Sequence, residues 1–519
     1  MSDGIIEGRH HPGDLRIDTD VVVVGTGAAG AVVGTLLAEA GQQVVFVEEG
    51  GHHPPEVYGG YRPSQHLREL WRDAALSILF PLGDTPAINL MMGRCVGGSS
   101  VLTGGVCFRT PEWVLEEWRR NHRLEDLSPR QMEPVFREVE EAIHVEEVPE
   151  AMRSRSTALY HQGASLRGHP LKSTRRNTRG CGGCGKCNFG CPHGAKLSVD
   201  VTYLPRAVKA GARIYSDCLV NKVERQGGRA VGISGRVLNG AEGRRGGKLS
   251  IRARRVVLAA GACHSPLILM KSGVGRDSEQ VGRNLTLHPS FRVMARFDRP
   301  VNGWSGALQS AYSDAFEREG FTLMSIFAPP GVLAGTMLGV GEEHAQRARD
   351  LPYLAMFGGL IHDENSGSIH RALGREPFVA YRMSRGDRQK VNRLLRTIAE
   401  DFFAAGAREV HLPILGQEPL SADQFRSFPL EKVSARRFEC ASQHPLGTCR
   451  MGVRPGNSVV DPDGQSWELK ELFVVDGSVL PTSLGVNPQL SVMAMATRLA
   501  WKLRERQFPV FRASVHTRR

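Results

Sequence analysis

Four valines, Val21-Val22-Val23-Val24, run directly into Gly25-Thr26-Gly27-Ala28-Ala29-Gly30. An unbroken β-branched run of this kind predicts a strand buried on both faces, and the three glycines allow a tight turn, close approach of a pyrophosphate and packing of the helix that follows. An Ala-, Val- and Leu-rich stretch then predicts a helix ending near Gly41, and Val44 to Val47 predict a second strand leading into Glu48. That acid stands about twenty positions beyond the first glycine, where a carboxylate can meet a ribose hydroxyl. Strand, glycines, helix, strand and acid together predict a dinucleotide site.

Val256-Val257-Leu258-Ala259-Ala260-Gly261 repeats the pattern of buried strand and small-residue turn and is expected to close the same sheet from far away in sequence. Between 386 and 406, Val391, Leu394, Leu395, Ile398, Phe402 and Phe403 recur at helical spacing with Gly406 as the stop. Phe291 to Phe297 alternates apolar and polar positions, as a half-buried antiparallel strand does. The middle and late chain therefore reads as α+β. No internal repeat and no long low-complexity linker interrupts it.

Composition adds bounds. The chain has 519 residues with 41% apolar, 23% charged and 7% aromatic, a globular balance long enough for more than one layered unit. Its 59 glycines exceed common usage, which favours many tight turns around a large bound cofactor. No run approaches the roughly 18 apolar residues of a membrane span. The net charge of +12 is spread thinly, with runs no longer than pairs such as Arg175-Arg176 and Arg518-Arg519 and no zinc-finger or RNA-binding signature, which argues against a nucleic-acid partner. Ten cysteines are too few for a disulfide scaffold, and Met1-Ser2-Asp3-Gly4 opens no apolar signal stretch, so a cytoplasmic location is expected.

Beyond the fingerprint, Gly93-Arg94-Cys95-Val96-Gly97-Gly98-Ser99-Ser100, Gly261-Ala262-Cys263-His264-Ser265-Pro266, Val281-Gly282-Arg283-Asn284-Leu285 with His288-Pro289, His444-Pro445-Leu446-Gly447-Thr448-Cys449-Arg450-Met451-Gly452, Val475-Asp476-Gly477-Ser478 and Gly485-Val486-Asn487-Pro488-Gln489 follow in order. Over most of its length the sequence resembles the glucose-methanol-choline (GMC) oxidoreductase family, which binds FAD. The resemblance implies an α/β Rossmann-like FAD-binding domain plus an α+β substrate-binding domain with an antiparallel sheet. The first would span 15–286, with a cysteine-rich insertion at about 111–200. The second would span 287–430, and 431–510 would return to the FAD domain with the catalytic residues.

The same resemblance assigns Gly25, Gly27, Ala28, Ala29, Gly30 and Glu48 to the cofactor. Arg94, Gly97, Gly98, Ser99, Thr103 and Gly104 would follow from the second motif. Val220, Ala260, Asp476, Gly477, Asn487 and Pro488 complete the expected cofactor shell. Thr103 stands where the family often has Asn, and Leu287 where relatives commonly carry Asp. The activity implied is oxidation of a small-molecule alcohol to an aldehyde or ketone; apolar runs at 321–327 and 351–357 either point to a hydrophobic alcohol or are simply sheet core. A neutral imidazole at His444 would take the hydroxyl proton while hydride leaves for flavin N5, and Asn487 would orient the oxygen. A flavin-containing lyase of the same fold, an oxygen-using oxidase and a non-catalytic electron carrier are the alternatives.

Cys181, Cys184, Cys187 and Cys191 have the spacing C-x2-C-x2-C-x3-C, followed by Pro192. This is the bacterial ferredoxin run, and one loop could hold a [4Fe-4S] or [3Fe-4S] iron–sulfur cluster. Four thiolates also suit zinc, although zinc sites place ligand pairs on two loops, and a metal-free or disulfide loop is the third reading. A cluster would pass single electrons to a redox protein or quinone-type acceptor.

Overall fold

The computed structural model describes residues 4–506 apart from 12, 240–243, 338 and 365–366; Met1-Ser2-Asp3 and Arg518-Arg519 lie outside the described residues. The valine run forms the strand Leu15–Val24, and Val21, Val22 and Val23 are wholly buried. Parallel neighbours on both sides, Val44–Val47 and Arg244–Leu258, set Val22 opposite Val45 and Val256. Burial on both faces explains why this segment lacks polar alternation.

The sheet has eight strands. Arg213–Ser216 and Ile5–Glu7 extend one side in parallel, while Arg229–Asn239 and Cys218–Gln226 extend the other as an antiparallel meander. The predicted distant strand is thus the last turn-ward part of Arg244–Leu258, and it also receives Leu472–Val474 in parallel. The helix Ala28–Glu39 packs against the C-terminal helix Gln489–Glu505 beside this sheet. N-terminal, central and C-terminal segments therefore share one core.

A second sheet has ten strands. The alternating segment becomes Ser290–Arg296, buried at every second residue, and runs antiparallel to Leu354–Ile361 with Val293 opposite Phe357. The predicted amphipathic helix is Arg385–Ala404; the Ser384 side chain accepts from the Asp387 amide at its start, and Val391, Leu394, Leu395, Ile398 and Phe402 pack into the second core. Ser77–Ile78, Ile88–Leu90, Lys172–Ser173 and Cys440–Ser442 also join this sheet. The chain thus crosses repeatedly between the two sheets, and the segments at the crossings line one cavity.

Candidate active site

The cavity encloses about 720 Å³ and is walled by both sheets. At its nucleotide end Gly25 has φ 100°, and a Cβ there would stand 2.4 Å from the Ala259 carbonyl oxygen. A Cβ on Gly30 would stand 2.0 Å from the Gly25 oxygen, so the helix can approach the strand only with glycine at both places. At Gly27 the opposite holds, because nothing comes closer than 4.0 Å to the position of a Cβ. Bare backbone facing open space is what an incoming pyrophosphate requires.

Glu48 is buried and rigidly held. Its Oε2 accepts from the Thr26 amide at 3.0 Å and the Thr26 hydroxyl at 2.8 Å, and its Oε1 accepts from the Gly50 amide at 2.9 Å. Burial raises its pKa despite these donors. Glu48 also lines the cavity, where a carboxylate suits a ribose hydroxyl. Gly25, Gly27, Ala28, Ala29, Glu48, Val220 and Ala260 line this end. Gly30, Arg94 and Gly97 stand behind the lining, where the Gly97 amide donates to the Thr26 hydroxyl at 3.1 Å.

Farther in, Gly98, Ser99, Thr103 and Gly104 face Asp476, Gly477, Asn487 and Pro488 across the cavity. The Asp476 carboxylate accepts from the Gly261 amide at 2.8 Å, the Ser478 amide at 2.8 Å and the Ser265 hydroxyl, and burial raises its pKa. It clamps two turns together, as its place before the short helix Gly477–Val479 suggests. The Thr103 hydroxyl donates to Gln489 Oε1 at 2.9 Å and accepts from the Gly105 amide at 3.3 Å. A glycine-lined cleft, an anchored carboxylate at one end and the start of a 17-residue helix at the other fit FAD along their length.

His444 and Asn487 meet in the wall of the same cavity, with the imidazole Nε2 and the amide Nδ2 3.3 Å apart. They come from opposite ends of the fold's C-terminal return: His444 follows the strand Cys440–Ser442, and Asn487 precedes the helix Gln489–Glu505. Burial pulls the His444 pKa down to about 4, so the ring is neutral at physiological pH. Asn487 Oδ1 and His444 Nδ1 have no partner among the described residues. A hydroxyl between the two side chains could donate to the ring and accept from the amide.

His288 packs edge-on to His444, with ring centroids 5.3 Å apart, and its Nε2 accepts from the Leu484 and Gly485 amides at 2.9 and 3.2 Å. His264 reaches the cofactor end, bonded to Glu376 at 2.9 Å. Asp363 was not foreseen. Its carboxylate accepts from the Leu287 and His288 amides at 2.9 and 3.0 Å, the Tyr381 hydroxyl at 2.8 Å and the Ser483 hydroxyl at 3.0 Å. A buried four-donor acceptor has no local sequence signature, since its donors come from three separate places in the chain.

The cysteine run does not form the expected cage. Among the described residues no three His, Cys, Asp or Glu side chains gather in a way that could hold a metal ion. Cys184 is exposed, whereas Cys187 and Cys191 are buried, and the Cys187 sulfur accepts from Arg176 Nη2 at 3.0 Å. Gly185, Asn188 and Phe189 of this loop line the cavity. Among the described residues nothing therefore supports iron–sulfur or zinc ligation by Cys181, Cys184, Cys187 and Cys191.

What the loop contributes is a buried cation. Lys196 Nζ donates to the carbonyls of Val101, Thr103 and Cys187 at 2.6, 2.8 and 3.0 Å, and burial lowers its pKa to about 8. Arg176 Nε adds a bond to the Gly104 carbonyl at 2.7 Å. Together they fasten the cysteine loop to the 101–104 segment. Lys196 stands in the sequence Gly190-Cys191-Pro192-His193-Gly194-Ala195-Lys196, and its lone charge among small residues was the available signal.

The family models for the N- and C-terminal parts of GMC oxidoreductases match residues 19–290 and 373–496. An uncharacterized GMC-type oxidoreductase of Mycobacterium tuberculosis is 36% identical over 93% of this chain and 75% of its own length. A long-chain-alcohol oxidase of Arabidopsis thaliana is 28% identical over 94% of this chain and 68% of its own. Among solved structures, pyridoxine 4-oxidase from Mesorbium loti superposes with a TM-score of 0.71 at 20% identity, covering 94% of this chain and 100% of that one, a likeness of fold. Motifs, sheet order, FAD-shaped cleft and these matches agree, and the chain belongs to the GMC oxidoreductase family of FAD-dependent enzymes.

Proposed function

We propose that this protein oxidises a hydrophobic alcohol to the aldehyde or ketone, with 15–286 and 431–510 holding FAD and 287–430 facing the substrate. The carrying observation is the pairing of neutral His444 with Asn487, 3.3 Å apart in the cavity wall. The substrate hydroxyl donates to the imidazole, which takes the proton; Asn487 donates to the hydroxyl oxygen, holds one face of the carbon toward the cofactor and steadies negative charge on oxygen. FAD, when bound, supplies the acceptor for the two electrons that leave the carbon. The wall beyond the histidine is apolar, with Met91, Met324, Ile326, Phe327, Val332 and Met356, and it suits an alkyl or ring body. The names of the Arabidopsis relatives, long-chain-alcohol oxidases, support that class.

Anaerobic addition of 1-dodecanol to the purified holoenzyme tests the reading. The flavin absorbance is expected to bleach, and His444→Ala is expected to slow bleaching by about 10²–10⁴-fold with FAD retained. Absence of bleaching with 1-dodecanol, together with cleavage of a hydroxynitrile to carbonyl and cyanide without flavin reduction, would establish the lyase instead, and an unimpaired His444→Ala enzyme would remove the histidine from the chemistry.

A further inference from the structure

Leu76, Ile78 and Phe80 point into water on alternate positions, 69%, 65% and 53% exposed, while Leu79 between them is 2% exposed. A strand normally turns its apolar positions inward, so this stripe is inverted. Leu373 and Phe378 extend it. The strand Phe378–Tyr381 pairs in parallel with Phe80–Pro81, and the Phe80 and Phe378 rings stand 5.3 Å apart. Arg72 bonds Glu376 at 2.8 Å and so holds the Leu373 hairpin against the segment that precedes Leu76.

The turn feeding the stripe has Asp73, Ala74 and Ala75 at φ 47°, 53° and 65°. Three successive residues with a Cβ in the left-handed region are costly, and such strain persists where the surrounding structure holds a position for use. Here the turn sends Leu76 outward. Leu76 is also part of the cavity wall, with Leu67, Ala74 and Ala75, so the cavity opens beside the patch. Ser77 pairs with Leu90 and Leu90 with Ser442, two residues before His444. Two strand spacings, roughly 10 Å, therefore separate Ser77 from Ser442.

Arg371 and Arg382 flank the patch, exposed and without a carboxylate partner among the described residues. The whole chain carries +12. Five side chains fall short of the roughly 800 Å² that each partner of a stable protein interface covers, whereas shallow insertion into a bilayer needs only apolar side chains with cations beside them. We propose that this face docks on an anionic lipid bilayer, so that the alcohol passes from the membrane directly into the cavity. The identity of what passes rests on the alcohol-oxidation reading; the docking itself does not.

Flotation of the FAD-loaded protein with vesicles tests docking without turnover, so its failure and the failure of the alcohol reading are separate results. Co-flotation is expected with phosphatidylcholine–phosphatidylglycerol vesicles, less with phosphatidylcholine alone, and less again in high salt. The double variant Ile78→Glu/Leu373→Glu, which leaves the cavity lining intact, is expected to lower partitioning at least about tenfold with FAD content and melting temperature unchanged. Absence of the wild-type protein from the anionic vesicle fraction, or equal flotation of the variant, would overturn the proposal. So would a dimer in sedimentation that Ile78→Glu dissolves, because the face would then belong to a second copy.

Discussion

His444 shows how a residue type acquires a function from its surroundings. One histidine among eighteen is unremarkable, and the nine-residue motif around His444 singled it out in the sequence. What the sequence did not contain is the burial that pulls its pKa to about 4 from an ordinary value near 6.5. The sign is definite: the neutral ring accepts the proton, so activity should persist down through the range in which an ordinary histidine would charge, and fall only as pH approaches 4. In a pH profile of kcat/KM, His444 is expected to contribute no limb between about 8 and 5 and to bend the curve near 4. A bend at 6.5 would contradict the burial effect. Asp363, lifted by burial to about 6, is the other group near the site that could bend the curve, and a limb near 6 that vanishes in Asp363→Asn belongs to it.

At the scale of elements, period and punctuation were legible and convergence was not. The strand Leu15–Val24, the helix Ala28–Glu39, the strand Ser290–Arg296 and the helix Arg385–Ala404 all follow from local hydrophobic pattern and a stop residue. The cysteine loop shows the limit of spacing, which specifies how far apart ligands lie along the chain, whereas a metal site needs their sulfurs turned to one point. Here one turn faces Arg176, another faces water, and the loop is held through Lys196 instead. Lys196→Met would leave three carbonyls without their shared donor. It is expected to cost about 2–4 kcal/mol in chemical denaturation and to weaken FAD retention, because two of those carbonyls belong to the 101–104 segment. Unchanged stability with unchanged flavin content would show that the loop is fastened by other contacts.

Over the whole molecule, the order of motifs indicated that distant segments share one site, but not what ties those segments together around it. Asp363 performs that task. It lies just past the strand Leu354–Ile361 of the second sheet, and it binds the amides of Leu287 and His288, the Tyr381 hydroxyl and the Ser483 hydroxyl. Ser483 begins the segment that carries Asn487, and His288 fixes the next two amides of that segment while packing against His444. One carboxylate thereby sets the distance between the two side chains that meet the substrate. Asp363→Asn keeps the shape but turns an amide donor toward two of the four donors. It is expected to lower stability by about 2–4 kcal/mol and to reduce kcat more than it raises KM, with FAD still bound, since the cofactor cleft is built from other residues. A KM effect alone would mean that Asp363 shapes substrate binding without setting the His444–Asn487 geometry, and the anchor of those segments would have to be sought elsewhere.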